Sequence, residues 1–221
     1  SPNRDYCRWC YQRGAFTAPE MDFLRSLSFA IVFVNSDQHN YEFDQIQVDF
    51  DQGLKQMAVY LLDKKQYRGI GYIGGVYEHG GVRIGRRLSG LRRILEERGL
   101  YDPTVFHVGD ISRESGYTLA RQAAREGRLA EAMLLGSDEV AEGALEAFRE
   151  LGLRVPKDVA VIIYQDIQTL ESKWPTGTCI EMFPDYIWEN ALEILFGRIS
   201  QKRTQAVTVV VPTHIRIGDT A

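Results

Sequence analysis

The chain of 221 residues has little of what metal, redox and disulfide chemistry need: three cysteines and four histidines. Three thiols do not build the disulfide framework of a small secreted scaffold. Cys7 and Cys10 stand at C-x-x-C spacing, but a structural zinc site wants four ligands and Cys179 lies far away. His39, His79, His107 and His214 share no ligand spacing. The pair therefore reads as thiols without a metal or redox role, and no metal ligands are assigned. Long apolar runs are missing too. No stretch of roughly 18 apolar residues is present, so no membrane span is expected. Ser1–Asp5 lacks the apolar core of a signal peptide. A cytoplasmic, thiol-reduced setting is expected.

A dominant charge is also missing. Lys and Arg number 26 against 30 Asp and Glu, for a formal net charge of -4. The two signs are interspersed, and no basic stripe would bind nucleic acid through a bulk field. Catalytic signatures are lacking as well: no Gly-x-Ser-x-Gly elbow, no phosphate-binding Walker loop, no His-Glu-x-x-His helix. Gly74-Gly75 and Gly80-Gly81 lack the spacing of a dinucleotide fingerprint. An enzyme is not expected, and no cofactor is implied.

What is present is an alternation of apolar runs with amphipathic segments, the pattern of a wound α/β protein. Residues 28–35 are continuous and β-branched, as a buried parallel strand would be. Residues 51–64 place Leu54, Met57, Ala58, Leu61 and Leu62 at helical spacing. Residues 69–74 read as a strand closed by a Gly-Gly turn, and 84–98 as a helix with Leu88, Leu91, Ile94 and Leu95 on one face. Strands at 104–108, 132–135, 159–164 and 207–211 alternate with helices at 115–127, 138–151 and 184–200. Gly152 is placed to stop the 138–151 helix. Residues 4–13 show neither alternation nor a helical stripe. No Pro/Gly-rich linker divides the chain, so two lobes would have to be joined by crossing strands.

Open α/β folds place ligands at the carboxyl ends of parallel strands. Asn35 closes the first clear strand, with Ser36 and Asp37 behind it. Ser137 and Asp138 follow the strand at 132–135, and Gln165 and Asp166 the strand ending at Tyr164. Asp138 is also suited to cap the next helix, and that role outweighs ligand contact. Asn35 and Gln165 stand evenly between a structural and a ligand role. Arg87 precedes the apolar stripe of its helix, where a planar guanidinium with five donors can grip neighbouring hydroxyls or a carboxylate. Composition alone ranks it no higher than Arg86, Arg92 or Arg93.

Several runs, taken together and in order, carry a family likeness: Asn35-Ser36-Asp37, Ile70-Gly71-Tyr72-Ile73-Gly74-Gly75, Arg87-Leu88-Ser89-Gly90, Gly109-Asp110-Ile111-Ser112-Arg113-Glu114-Ser115-Gly116-Tyr117, Gly136-Ser137-Asp138-Glu139-Val140-Ala141 and Val155-Pro156-Lys157-Asp158-Val159. From about Gly14 onward the chain resembles the effector domain of the LacI/GalR family of bacterial transcription regulators. The resemblance implies a two-lobed, periplasmic-binding-protein-like α/β fold, with parallel sheets flanked by helices. The implied lobes are 1–76 plus 182–206 and 77–181 plus 207–221, with hinge crossings near Gly75, Cys179 and Val207. It implies further that the first lobe is incomplete at its start and that the helix-turn-helix headpiece is absent.

By the same resemblance a sugar-like effector sits between the lobes against Asn35, Arg87, Ile111, Ser137, Asp138, Gln165 and Phe183. The implied function is that of a repressor's sensing domain: a homodimer whose effector alters operator DNA binding through the missing headpiece. A periplasmic sugar-binding protein of a transporter is the alternative. Two positions depart from the family pattern. Ile111 stands where sugar-sensing members often carry an aromatic, leaving ring stacking to Phe183, Trp174 or Tyr77. Gln165 replaces the usual Asp or Asn and so removes a charge.

Overall fold

The computed structural model describes residues 8–11, 16–35, 42–79, 82–166, 174–200 and 203–221, with the backbone alone at 8–11, 77–79 and 82–84. Along the chain run β1 (Arg8–Tyr11), α1 (Ala18–Arg25), β2 (Ile31–Val34), β3 (Asp44–Asp49) and α2 (Phe50–Ala58), which continues as π-helix through Val59–Lys64. Then come β4 (Ile70–Gly75), β5 (Tyr77–His79), β6 (Val82–Ile84), α3 (Arg86–Glu97), β7 (Phe106–Gly109), α4 (Arg113–Arg125) and β8 (Ala132–Leu135). The last six are α5 (Asp138–Glu150), β9 (Ala160–Tyr164), β10 (Cys179–Glu181), α6 (Pro184–Ser200), β11 (Thr208–Pro212) and β12 (His214–Arg216).

The chain divides into two compact units. The first holds Ser1–Asp49, Glu78–Ile84 and Phe183–Val211; the second holds Phe50–Tyr77, Gly85–Met182 and Pro212–Ala221. This partition differs from the lobe boundaries expected from the sequence. Residues 50–76, expected in the first lobe, belong to the second unit, because β4 pairs in parallel with both β7 and β8. Residues 207–211, expected in the second lobe, belong to the first, where β11 lies beside β3.

In the first unit a four-stranded sheet runs in the order β1-β2-β3-β11, with β1, β2 and β3 mutually parallel. The strand at 8–11 falls in a stretch whose side chains show no strand pattern; its register is supplied by β2, with Arg8 opposite Ile31 and Tyr11 opposite Val34. All four residues of β2 are buried, as an apolar run between two covered faces requires. Phe33 lies at the centre of a small core with Met21, Leu24 and Ile31. Its ring meets Phe16 at 5.1 Å and Phe43 at 5.2 Å, in tilted and edge-on arrangements. Helix α6 buries Ile187, Ala191 and Leu195, one residue per turn, against β2 and β3.

A buried ion cluster fixes the start of β3. The Asp44 carboxylate is fully buried and accepts hydrogen bonds from Arg198 Nε, both terminal nitrogens of Arg203 and the Val207 backbone N–H, at 2.8–2.9 Å. Burial alone would push the Asp44 pKa up. The hydrogen bonds from Arg203 and Arg198 outweigh burial and hold it below the usual carboxylate range.

In the second unit six strands run in the order β12-β10-β9-β8-β4-β7. All neighbours are parallel except β12, which is antiparallel to β10. The core is built from Ile73, Met133, Leu135, Val161 and Ile163 of the sheet with Val140, Ala144, Ala147 and Phe148 of α5. Helices α4 and α5 touch backbone to backbone: a Cβ on Gly116 would overlap the Val140 carbonyl, and one on Gly143 the Arg113 carbonyl. Helix α5 ends, as expected, at Gly152 in a left-handed conformation (φ 72°), and Leu153 N–H closes on Phe148 O at 2.9 Å.

The glycine pair expected to turn the chain after β4 does something else. Gly74 and Gly75 lie inside the strand, where a Cβ would strike the Tyr72 ring and Ile111 respectively. Their smallness makes room at the strand end.

Candidate functional site

In the second unit, strands β4, β8 and β9 are parallel and finish at one edge of the sheet, where their loops converge. Arg87, in the first turn of α3, reaches into this edge. Its Nη1 donates to the Gly136 carbonyl after β8, and its Nη2 to the Gln165 carbonyl at 3.2 Å and Asp166 Oδ1 at 3.0 Å after β9. Met182 Sδ lies 3.4 Å from the same nitrogen. The guanidinium lies over the Tyr164 ring, 4.4 Å from its centroid, and 5.8 Å from that of Phe50. Tyr164 is held in turn by a 3.1 Å hydrogen bond from its hydroxyl to Phe50 O. Arg87 and Asp166 keep 15% and 12% side-chain exposure, so their ion pair is partly desolvated and still reachable.

Behind that pair stands Asp138. Its Oδ2 accepts the Asp166 backbone N–H at 2.9 Å and its Oδ1 the Trp174 indole N–H at 3.2 Å. The helix-capping role expected for Asp138 belongs to its neighbour. Ser137 has extended backbone angles and accepts the Val140 N–H on Oγ at 3.2 Å, whereas Asp138 is already helical. The reason is geometric: a cap needs a non-helical backbone one position before the first turn. Ser137 is itself almost wholly buried.

Of the residues expected at the site, Arg87, Gln165, Ser137, Asp138 and Ile111 belong to the second unit. The first four meet around Gly136 and Asp166, and Ile111 lies against Gly75 at the end of β4. Gln165 contributes its main chain, its carbonyl accepting from Arg87 and its N–H donating to Ile180 O at 3.0 Å. Asn35 and Phe183 belong to the first unit. Both take left-handed backbones, with φ of 52°, a conformation Asn tolerates and Phe rarely adopts. Asn35 Oδ1 is buried without a hydrogen-bond partner. Phe183 is 40% exposed.

Phe50, Tyr164 and Met182 were not singled out from the sequence, because each sits in an ordinary apolar context. Asp166 was named only as the companion of Gln165, yet it is the residue that pairs with Arg87. Trp174 donates its indole N–H to the Asp138 carboxylate. Ser36, Asp37, Cys7, and the side chains of Cys10 and Tyr77 lie outside the described residues. Among the described residues no His/Cys/Asp/Glu group could hold a metal ion, and no helix is long and apolar enough to cross a membrane.

A family model for the periplasmic binding protein-like domain matches residues 59–221. The chain belongs to that family. A second model, for a zinc ribbon domain, matches residues 1–60, a span that includes the Cys7-x-x-Cys10 spacing. The periplasmic binding protein-like domain here is of the LacI/GalR kind, as its relatives make plain. The HTH-type transcriptional repressor MelR of Bacillus subtilis is 30% identical over 192 residues, covering 83% of this chain and 54% of that protein. The HTH-type transcriptional regulator GalR of Streptococcus thermophilus is 27% identical over 209 residues, 93% of this chain and 61% of that one. The repressor PurR of Salmonella arizonae reaches 35% identity over 156 residues, 70% of this chain and 45% of that one.

The chain thus spans about half the length of curated relatives that it matches. Among solved structures, the transcriptional regulator CelR–cellobiose complex superposes with a TM-score of 0.78 at 25% identity, over 96% of this chain and 65% of that one. A LacI transcriptional regulator from a Rhodococcus species gives a TM-score of 0.79 at 21% identity, over 99% and 79%. The α/β fold with parallel sheets flanked by helices is therefore that of the family.

Proposed function

We propose that this chain is the effector-binding domain of a transcription regulator, a repressor by the names of its relatives. A small sugar-like molecule binds at the strand ends around Arg87 and alters operator affinity in the full protein. The observation that carries the reading is the Arg87 guanidinium, held over Tyr164 and fixed to Gly136, Gln165 and Asp166 at the carboxyl edge of the sheet. A fixed planar donor beside a carboxylate suits vicinal hydroxyls, each of which both donates and accepts. Ile111 supplies an apolar wall at the end of β4. Ser137 and Asp138 shape the edge from behind, while Asn35 and Phe183 enter on the sequence resemblance alone.

Operator contact belongs to a headpiece of the helix-turn-helix type, and the working form is a cytoplasmic homodimer. A transporter-associated sugar-binding protein shares the fold, but MelR, GalR, PurR and CelR are all named as regulators or repressors. The same names carry no catalytic activity. Calorimetric titration of the folded chain with mono- and disaccharides, beside Arg87→Ala, tests the reading. Saturable binding lost in the variant is the expected result; silence across the panel from folded protein would sink it.

A further inference from the structure

The charges at the Arg87 edge restrict what the effector can be, granted the proposed function on which this rests. Arg87 is already matched by Asp166 at 3.0 Å, and its two terminal nitrogens also serve the Gly136 and Gln165 carbonyls. Asp138 stands directly behind, its carboxylate accepting the Asp166 N–H. Asp110 follows β7 at the same edge, where its backbone approaches Gly75. The second nearby cation, Arg86, is drawn over the Phe50 ring at 5.8 Å. Among the described residues the edge thus sets Arg86 and Arg87 against Asp110, Asp138 and Asp166.

A phosphate or carboxylate is an acceptor only. To reach Arg87 it has to displace Asp166 or lie against it, leaving two anions together in a partly dry site. A neutral hydroxyl meets no such conflict, because it donates to Asp166 and accepts from Arg87. Gln165 adds no charge of its own. We infer that the effector is a neutral polyhydroxyl compound, an unphosphorylated and non-acidic sugar, and that Asp166 is the residue that excludes its anionic counterparts.

The test is isothermal titration of the chain with matched pairs: glucose and glucose 6-phosphate, galactose and galactose 1-phosphate, trehalose and trehalose 6-phosphate, glucose and glucuronate. The expected result is that the neutral member of at least one pair binds, and its anionic partner binds about 100-fold more weakly or not at all, a difference of about 2.7 kcal/mol. In Asp166→Asn, checked for folding by its thermal transition, that ratio should shrink about tenfold or more. An anionic member binding as tightly as its neutral partner overturns the inference while leaving the sensing function intact. An unchanged ratio in Asp166→Asn overturns the role given to Asp166. Binding by neither member of any pair overturns the sensing reading and this inference with it.

Discussion

Each unit of the chain holds an aspartate gripped by arginine, and the two clusters behave differently. Asp44 in the first unit is sealed: four donors from Arg198, Arg203 and Val207 converge on its two oxygens, and no part of it reaches solvent. Asp166 in the second unit meets Arg87 at one oxygen, and both side chains keep some exposure at the end of a sheet. The first cluster ties helix α6 and the segment before β11 to the start of β3, so its product is rigidity. The second stands where parallel strands finish and loops converge, the position from which the proposed recognition role follows. Residue types alone do not separate the two; position on the strand does. Asp44 opens a strand, whereas Asp166 follows one.

The sharpest way to break this contrast is to remove each acid's role in turn. Asp44→Ala leaves the partly buried Arg198 and Arg203 guanidinium groups with backbone carbonyls but without their carboxylate, and a loss of about 3 kcal/mol is expected in urea unfolding. If that variant unfolds at the wild-type midpoint, the sealed cluster is not a lock. The same cluster predicts a pH response. Because the folded-state pKa of Asp44 is lowered, its stabilisation is full above the ordinary value of 3.8 and is lost as pH falls below it. Asp44→Asn should flatten that acid limb of the stability profile.

Arg87→Ala should show the opposite balance: sugar affinity at least about 100-fold weaker, near 2.7 kcal/mol, with stability lowered by only about 1.5 kcal/mol. Equal losses of stability in Arg87→Ala and Asp44→Ala would erase the distinction between site and lock. A smaller effect tests the scaffold beneath the site. Gly143→Ala places a methyl against the Arg113 carbonyl and forces α4 from α5, which should cost about 2 kcal/mol by thermal unfolding.

The smallest effect is expected at Ser137. Ser137→Ala removes the α5 cap and should cost about 1 kcal/mol, while sugar affinity stays within about threefold of wild type, or roughly 0.7 kcal/mol. A tenfold loss of affinity would instead make its hydroxyl a direct contact.

Much of the fold could be read from the amino acids, and particular residues show why. The apolar run of β2, the stripe of α3 and the Gly152 stop each carry a local signature whose physics is complete within a few residues. Gln165 and Asp138 could be placed after strands by the same reasoning, whereas Arg87 stands apart from Arg86, Arg92 and Arg93 only through the family resemblance. What failed had non-local causes. The strand at 8–11 takes its structure from β2, and α1 at Ala18–Arg25 was not foreseen although Thr17, Pro19 and Glu20 supply a capping box with proline in its first turn. The unit boundary at Asp49 is not legible in the sequence, because nothing in residues 50–76 announces which sheet β4 will join. The Asp138 cap was assigned one residue late, since Ser137 and Asp138 are both good caps until the backbone angles are known.

The sequence by itself determined the class of fold, the alternation of strands and helices, and the residue types offered at the strand ends, because periodicity and capping are short-range effects. Only the tertiary structure decided that Arg87 pairs with Asp166, that Asp138 stands behind them, and that Asp44 is sealed by Arg198 and Arg203. Those pairings join residues separated by 79, 28, 154 and 159 positions. At such separations proximity is set by how strands pair and helices pack, which no local run of the chain contains.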